Sequence, residues 1–174
     1  MKMSFIDIFM EGGHANSLGR SAEVMDTVLE DKSRLAELYE CICHDDAWVR
    51  MRAIDSIEKV CRVHPDWISP YIDKMLSELT KSTQASILWH LAQIFGEVVL
   101  DDNQKEQAIK WLETLLSSKD VDWIVSANSM KTLSQFTRDD FFPTSRLVSL
   151  LKVQKGHKSN AVKKRANKLL VEFT

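Results

Sequence analysis

Four segments of this chain carry the same apolar pattern at almost equal intervals. Val49, Ala53 and Ile57 recur as Ile87, Leu91 and Phe95, then as Val125, Ser129 and Leu133, then as Val162, Ala166 and Leu170. The leading positions 49, 87, 125 and 162 lie 38, 38 and 37 residues apart. At about 100° per residue, Val49, Ala53, Ile57, Val60 and Cys61 fall within one arc of about 120°. Arg52, Asp55, Glu58, Lys59 and Arg62 fall on the opposite side and read as a solvent face. The second segment sets Ile87, Leu88, Leu91, Ile94, Phe95 and Val98 against His90, Gln93 and Glu97. The last sets Val162, Ala166, Leu169, Leu170 and Phe173 against Lys164, Arg165 and Lys168. Each is the pattern of an amphipathic helix that buries one stripe.

The turn residues agree. The 174 residues include five Gly and three Pro, where average usage of roughly 7% and 5% would give about twelve and nine. Sandwiches, barrels and propellers consume those residues in tight turns, so the chain reads as all-α. Helices are expected at about residues 21–30, 32–43, 46–63, 68–81, 83–99, 102–117, 121–137, 142–154 and 159–173, nine in all. Pro65 must end the third of these, because the residue before Pro avoids the α region. Pro70 and Pro143 suit helix starts, and Gly156 suits a helix end. Residues 1–20 read as an N-terminal arm and a Gly-rich loop or hinge, with three of the five Gly at 12, 13 and 19. The apolar run Phe5, Ile6, Ile8, Phe9 and Met10 is expected to fold back over the first repeat. Gly96, late in a predicted helix, has no evident role in the sequence.

Asp46-x-x-Val49-Arg50-x-x-Ala53-x-x-x-Ile57, on the first helix of a unit about 38 residues long, resembles the HEAT-type repeat of the armadillo/HEAT superfamily. The resemblance covers residue 21 to the end, with repeats starting near 21, 46, 83, 121 and 158. It implies stacked antiparallel helix pairs, A then B, wound into a right-handed α-α superhelix, as one domain over residues 21–174. A two-helix unit cannot bury its stripe alone, whereas stacked units share a continuous core. The resemblance also implies that B helices line a concave ligand-binding groove. The polar B positions Asp73, Lys74, Glu78, Gln107, Lys110, Glu113, Arg146 and Ser149 would then line it. Trp111, one of five Trp, would be an anchor there if exposed and edge-of-core filler if not.

Few residues suggest chemistry. Cys41, Cys43, His44, Cys61 and His64 are ligand types, but Cys41 and Cys43 would point about 200° apart on a helix. Cys43 and Cys61 read as small core residues on apolar faces. No metal or cofactor is therefore expected. Asp46 reads as a helix cap and Asp45 as an acid near that helix's positive end, rather than as partners of His44 in catalysis. No phosphate loop, His-Glu-x-x-His or Ser elbow is present, and no enzymatic activity is expected. Three Cys, two of them two residues apart, do not make a disulfide framework, and a cytoplasmic location follows. No segment reads as a signal peptide or a membrane span.

Charge is uneven. Residues 1–150 carry sixteen Lys/Arg against twenty-four Asp/Glu, and residues 151–174 carry seven against Glu172 alone. Lys158, Lys164, Arg165 and Lys168, with Lys152, Lys155 and Lys163, form either a solvated cap or a surface for nucleic acid or an acidic protein. The mixed charge of the B positions suits a protein or peptide better than a phosphate backbone. The leading expectation is a non-enzymatic scaffold that binds a protein or peptide on its concave face. The alternative is a nucleic-acid-binding protein similar to the HEAT-like alkylpurine DNA glycosylases, using the basic C-terminal segment.

Overall fold

A computed structural model describes residues 3–14 and 17–174, and all of its regular structure there is helical. Tertiary contacts divide the chain into two compact units, Met1–Pro70 and Tyr71–Thr174.

The first unit holds α1 (Phe5–Met10), α2 (Ser21–Glu30), α3 (Leu35–Glu40), α4 (Ala47–Val63) and α5 (Pro65–Ile68), with single 3-10 turns at Lys32–Arg34 and Cys41–Cys43. The helix α1 was not among the nine expected, although its apolar run was expected to pack. Phe5, Ile8 and Phe9 are buried, and α1 packs on α2 and α4. Its first N–H, on Phe5, donates to Glu37 Oε1 at 2.8 Å. Pro65 opens α5, as a residue with no N–H to lose at a helix start.

Helix α4 is the centre of this unit, in contact with α1, α2, α3 and α5. Asp46 caps it as expected, its Oδ1 accepting from Trp48 N at 2.7 Å and Val49 N at 3.3 Å. The expected apolar stripe is buried, but so is much of the expected solvent face. Arg52, Asp55 and Glu58 are 4%, 6% and 2% exposed. Helices pack on more than one side of α4, so its polar residues are enclosed and find partners. Asp55 pairs with Lys59 at 2.7 Å, and Glu58 pairs with Arg62. The Arg52 guanidinium donates to Ser17 O at 2.9 Å and to Phe9 O.

That Arg also reaches the Gly-rich segment. Gly19 has a φ of +52°, and a Cβ there would sit 3.2 Å from Arg52 Cζ. The described part of the loop is clasped around a buried cation. Ala15 and Asn16, within the same predicted loop, lie outside the described residues.

The second unit holds α6 (Ile72–Glu78), α7 (Ala85–Glu97), α8 (Asp102–Leu116), α9 (Trp123–Arg138), α10 (Thr144–Gln154) and α11 (Asn160–Phe173). Helix α7 packs on α9 and α9 on α11, while α6 packs on α8 and α8 on α10. Gly96 now has a role. A Cβ there would lie 3.1 Å from Thr132 Oγ1. Thr132 in turn donates to Ala92 O at 2.6 Å, so the missing side chain lets α7 and α9 approach closely. His90, expected to face solvent, is buried with its Nδ1 2.5 Å from Ser86 O. Its ring stacks on Trp89, with centroids 3.4 Å apart.

The recurring slots hold in both units. Val49, Ile87, Val125 and Val162 are buried, as are Ala53, Leu91, Ser129 and Ala166. Ile57, Phe95 and Leu133 are buried too, while Leu170 on the last helix is half-buried. A second recurrence is chemical and invisible to a hydropathy pattern. His44 Nδ1 accepts from Asp46 N at 3.1 Å, Ser82 Oγ from Gln84 N at 3.1 Å, and His157 Nδ1 from Ser159 N at 2.9 Å. Asp46, Gln84 and Ser159 are the N-cap residues of α4, α7 and α11. Positions 44, 82 and 157 are one and two periods apart, and three unlike sequences make the same turn into a helix.

Candidate functional site

Two surfaces of the second unit bring together side chains expected to bind. The first is the row α6, α8 and α10. Asp73, Lys74 and Glu78 on α6, Gln107 and Lys110 on α8 and Arg146 on α10 are exposed, and Glu113 on α8 is half-buried. Pairs join neighbouring helices of the row. Gln104 Nε2 donates to Asp73 Oδ1 at 2.9 Å, and Arg146 pairs with Glu113 at 2.6 Å. Arg146 also lies over the Phe142 ring at 5.2 Å.

Trp111 is half-buried and serves as filler at the core's edge. Its Nε1 donates to Thr80 O at 3.2 Å, and its ring meets Phe95 edge-on at 5.6 Å. It still forms one wall of a depression of about 300 Å³ with Leu76, Thr80, Gln107, Lys110 and Thr114. Among the predicted residues, Gln107, Lys110 and Trp111 are therefore brought together. Asp73, Lys74, Glu78, Glu113 and Arg146 do not line that depression.

The second surface is a cleft of about 410 Å³ between α9 and α11. Helical spacing builds it. Lys131, Ser134 and Arg138 lie three and four residues apart along one face of α9, and Lys164, Lys168 and Glu172 lie at four-residue steps along α11. Arg165 and Leu169 complete the walls. The structure thus unites three of the predicted basic residues, Lys164, Arg165 and Lys168, with two cations that sequence reading passed over. Lys131 and Arg138 were hidden because their partners are one period away in the chain. Lys158, in the turn before α11, does not line the cleft.

Arg138 grips Glu172 with two parallel hydrogen bonds, Nε to Oε1 at 2.7 Å and Nη2 to Oε2 at 3.1 Å. This bidentate geometry is the strong form of the Arg–carboxylate contact. The Arg138 bond holds the Glu172 carboxyl below the usual carboxylate range, and the charges of Arg138 and Lys168 add to it. Arg165 Nη1 donates to Ala127 O at 3.2 Å. Lys131 and Lys164 have no ion-pair partner among the described residues. Ser134 is buried under the cleft with no hydrogen-bond partner for its Oγ among the described residues.

The Cys and His residues weighed as ligands are dispersed. Cys41 is buried and Cys43 exposed, the reverse of the expected placement for Cys43. The chain leaves α-geometry for a 3-10 turn at Cys41–Cys43, so the angle counted along a regular helix no longer applies. Cys61 is buried in α4, and His64 stacks on Trp67 at 4.0 Å. Among the described residues no three His, Cys, Asp or Glu side chains gather as metal ligands.

Sequence reading also missed a buried polar cluster where α8 ends. Gln154 is fully buried, and its Nε2 donates to Leu116 O at 2.7 Å and Ser118 O at 2.9 Å. Its Oε1 accepts from Ser126 Oγ at 2.7 Å. His157 Nδ1 accepts from Ser159 N, so its Nε2 carries the proton and donates to Val121 O at 2.8 Å.

No family model matches this chain, and no curated protein matches it. Among solved structures it is similar to the crystal structure of an engineered protein, a target of the Northeast Structural Genomics Consortium. The two are 16% identical with a TM-score of 0.62, over 98% of this chain and 79% of that chain. At that identity the likeness speaks for the fold alone. The protein is an all-helical one, and no helix among its described residues is long and apolar enough to cross a membrane.

Proposed function

We propose that this chain is a HEAT-like helical-repeat scaffold that holds a protein or peptide partner and performs no chemistry of its own. In this reading α6 to α11 are stacked antiparallel helix pairs of an α-α superhelix. The A helices are α7, α9 and α11, and the B helices are α6, α8 and α10. Support comes from contacts between helices one period apart, α7 to α9 to α11 and α6 to α8 to α10, which is how a solenoid propagates.

The partner sits on the B row. The observation that carries this is the depression walled by Trp111, Leu76, Gln107 and Lys110, an aromatic and aliphatic floor with a polar rim. Such a composition suits a protein interface. A photo-crosslinking residue at Gln107 or Lys110, with Val99 as an exposed control away from the depression, tests the reading in cells. Crosslinks to one partner from 107 and 110 but not from 99 support it. Equal capture at all three positions, or capture from 99 alone, refutes it.

A further inference from the structure

The cleft between α9 and α11 gathers Lys131, Arg138, Lys164, Arg165 and Lys168 around one carboxylate, Glu172. Side chains of one sign along one cleft favour an anion there. Among the described residues only Glu172 lines the cleft as an acid, and it is engaged with Arg138. We infer that this cleft binds a short acidic segment of a partner protein, whose carboxylate takes the place on Arg138 that Glu172 occupies in the free protein. The site is separate from the B row, and the inference does not rest on the reading of that row.

Three observations select a carboxylate-bearing peptide. Glu172 already shows how the cleft receives a carboxylate, through a two-point contact with the Arg138 fork. A second carboxylate would meet Lys131 or Lys164, which have no ion-pair partner among the described residues. The cavity of about 410 Å³ admits a few side chains, and Leu169 and the lysine stems offer apolar contact beside the charges. A long polyanion fits less well. Nucleic acid needs a basic track along many phosphates, whereas residues 1–150 carry twenty-four acidic against sixteen basic side chains.

The Arg138–Glu172 pair then acts as an internal competitor. Both side chains are about two-fifths exposed, so a ligand carboxylate can reach Arg138 from solvent and compete with Glu172 for the same two-point contact.

The test measures fluorescence anisotropy of a labelled hexaglutamate peptide with the full chain at low salt. Lys164→Glu with Lys168→Glu should weaken binding at least about tenfold, because it reverses two wall charges. Glu172→Gln should tighten it about threefold, the size expected on removing a surface ion pair that competes. Lys158→Glu, outside the cleft, should change it less than about twofold, as a distant charge screened by salt. All four side chains are exposed, and circular dichroism melts of each variant verify that the fold is kept. Binding unchanged by the double reversal overturns the proposal. So does equal weakening by Lys158→Glu, which means diffuse attraction, or weaker binding by Glu172→Gln. Tighter binding of a twelve-residue thymidine oligonucleotide with the same variant pattern replaces the peptide by nucleic acid. Displacement by inorganic phosphate below the peptide's own concentration range overturns it in favour of a phosphate group.

Discussion

Replacing Arg52 with Ala should loosen the N-terminal helix from α4 while leaving α4 helical. The guanidinium is almost fully enclosed and donates to two carbonyls, Phe9 O at the end of α1 and Ser17 O in the loop that follows. A hydrogen bond to a charged group contributes about 1.5–3 kcal/mol net. The Ser17 bond is part-buried and the Phe9 bond buried, so each contributes at least the lower end. Two such bonds give about 3 kcal/mol, against a typical total stability of about 5–15 kcal/mol. Helix α1 keeps Phe5, Ile8 and Phe9 in the core, so it should open more often rather than detach. Hydrogen exchange is the direct assay. Amides of the last turn of α1 should exchange about 100-fold faster, the factor for roughly 3 kcal/mol, while amides near Leu133 in the second unit keep their protection. Arg52→Lys keeps the charge but loses the fork, and should fall between. Loss of less than about 0.5 kcal/mol in urea unfolding, with unchanged exchange in α1, would refute the claim that this buried cation clasps the arm.

Three further outcomes are expected. Gln154→Leu should cost about 2–4 kcal/mol in chemical unfolding, because it strands the buried Leu116 O and Ser126 hydroxyl and removes the part-buried bond to Ser118 O. Gly96→Ala crowds Thr132, so Thr132→Ala should be less harmful in the Gly96→Ala background. A double-mutant cycle showing no coupling would exclude that close approach. Burial, with help from Glu37 and Glu40, pushes the Cys41 thiol up to about 12. A disulfide reagent at pH 8 should therefore label exposed Cys43 promptly and Cys41 only after unfolding. The sign for stability follows from the same shift. Between about pH 9 and 12 the unfolded thiol ionises and the native one stays protonated, so Cys41 contributes a loss of stability as pH rises through that window.

Much of this fold could be read from single residues in order. Asp46 at the start of α4 announced its helix because caps are local chemistry, whereas the Asp101 capping box of α8 came only with the structure. Val49, Ala53 and Ile57 announced a buried stripe because helical periodicity is local too. The candidate cleft was half visible. Lys164, Arg165 and Lys168 stood out as a cluster in the chain, but Lys131 and Arg138 are separated from them by about one repeat and carry no sequence signal of their own. The partner row was read as a face, yet only Gln107, Lys110 and Trp111 of its predicted residues converge on one depression.

By itself the sequence determined what a single helix can know: where it starts, where it stops and which stripe it must hide. Only the tertiary structure decided how many neighbours each helix has. That number buried Arg52, Glu58 and His90, whose positions around their own helices had pointed to water. It also set Arg138 beside Glu172 and gave Gly96 its place against Thr132. The physical reason is that periodicity reports the strongest apolar direction of one helix, whereas burial and charge pairing sum over every helix packed around it.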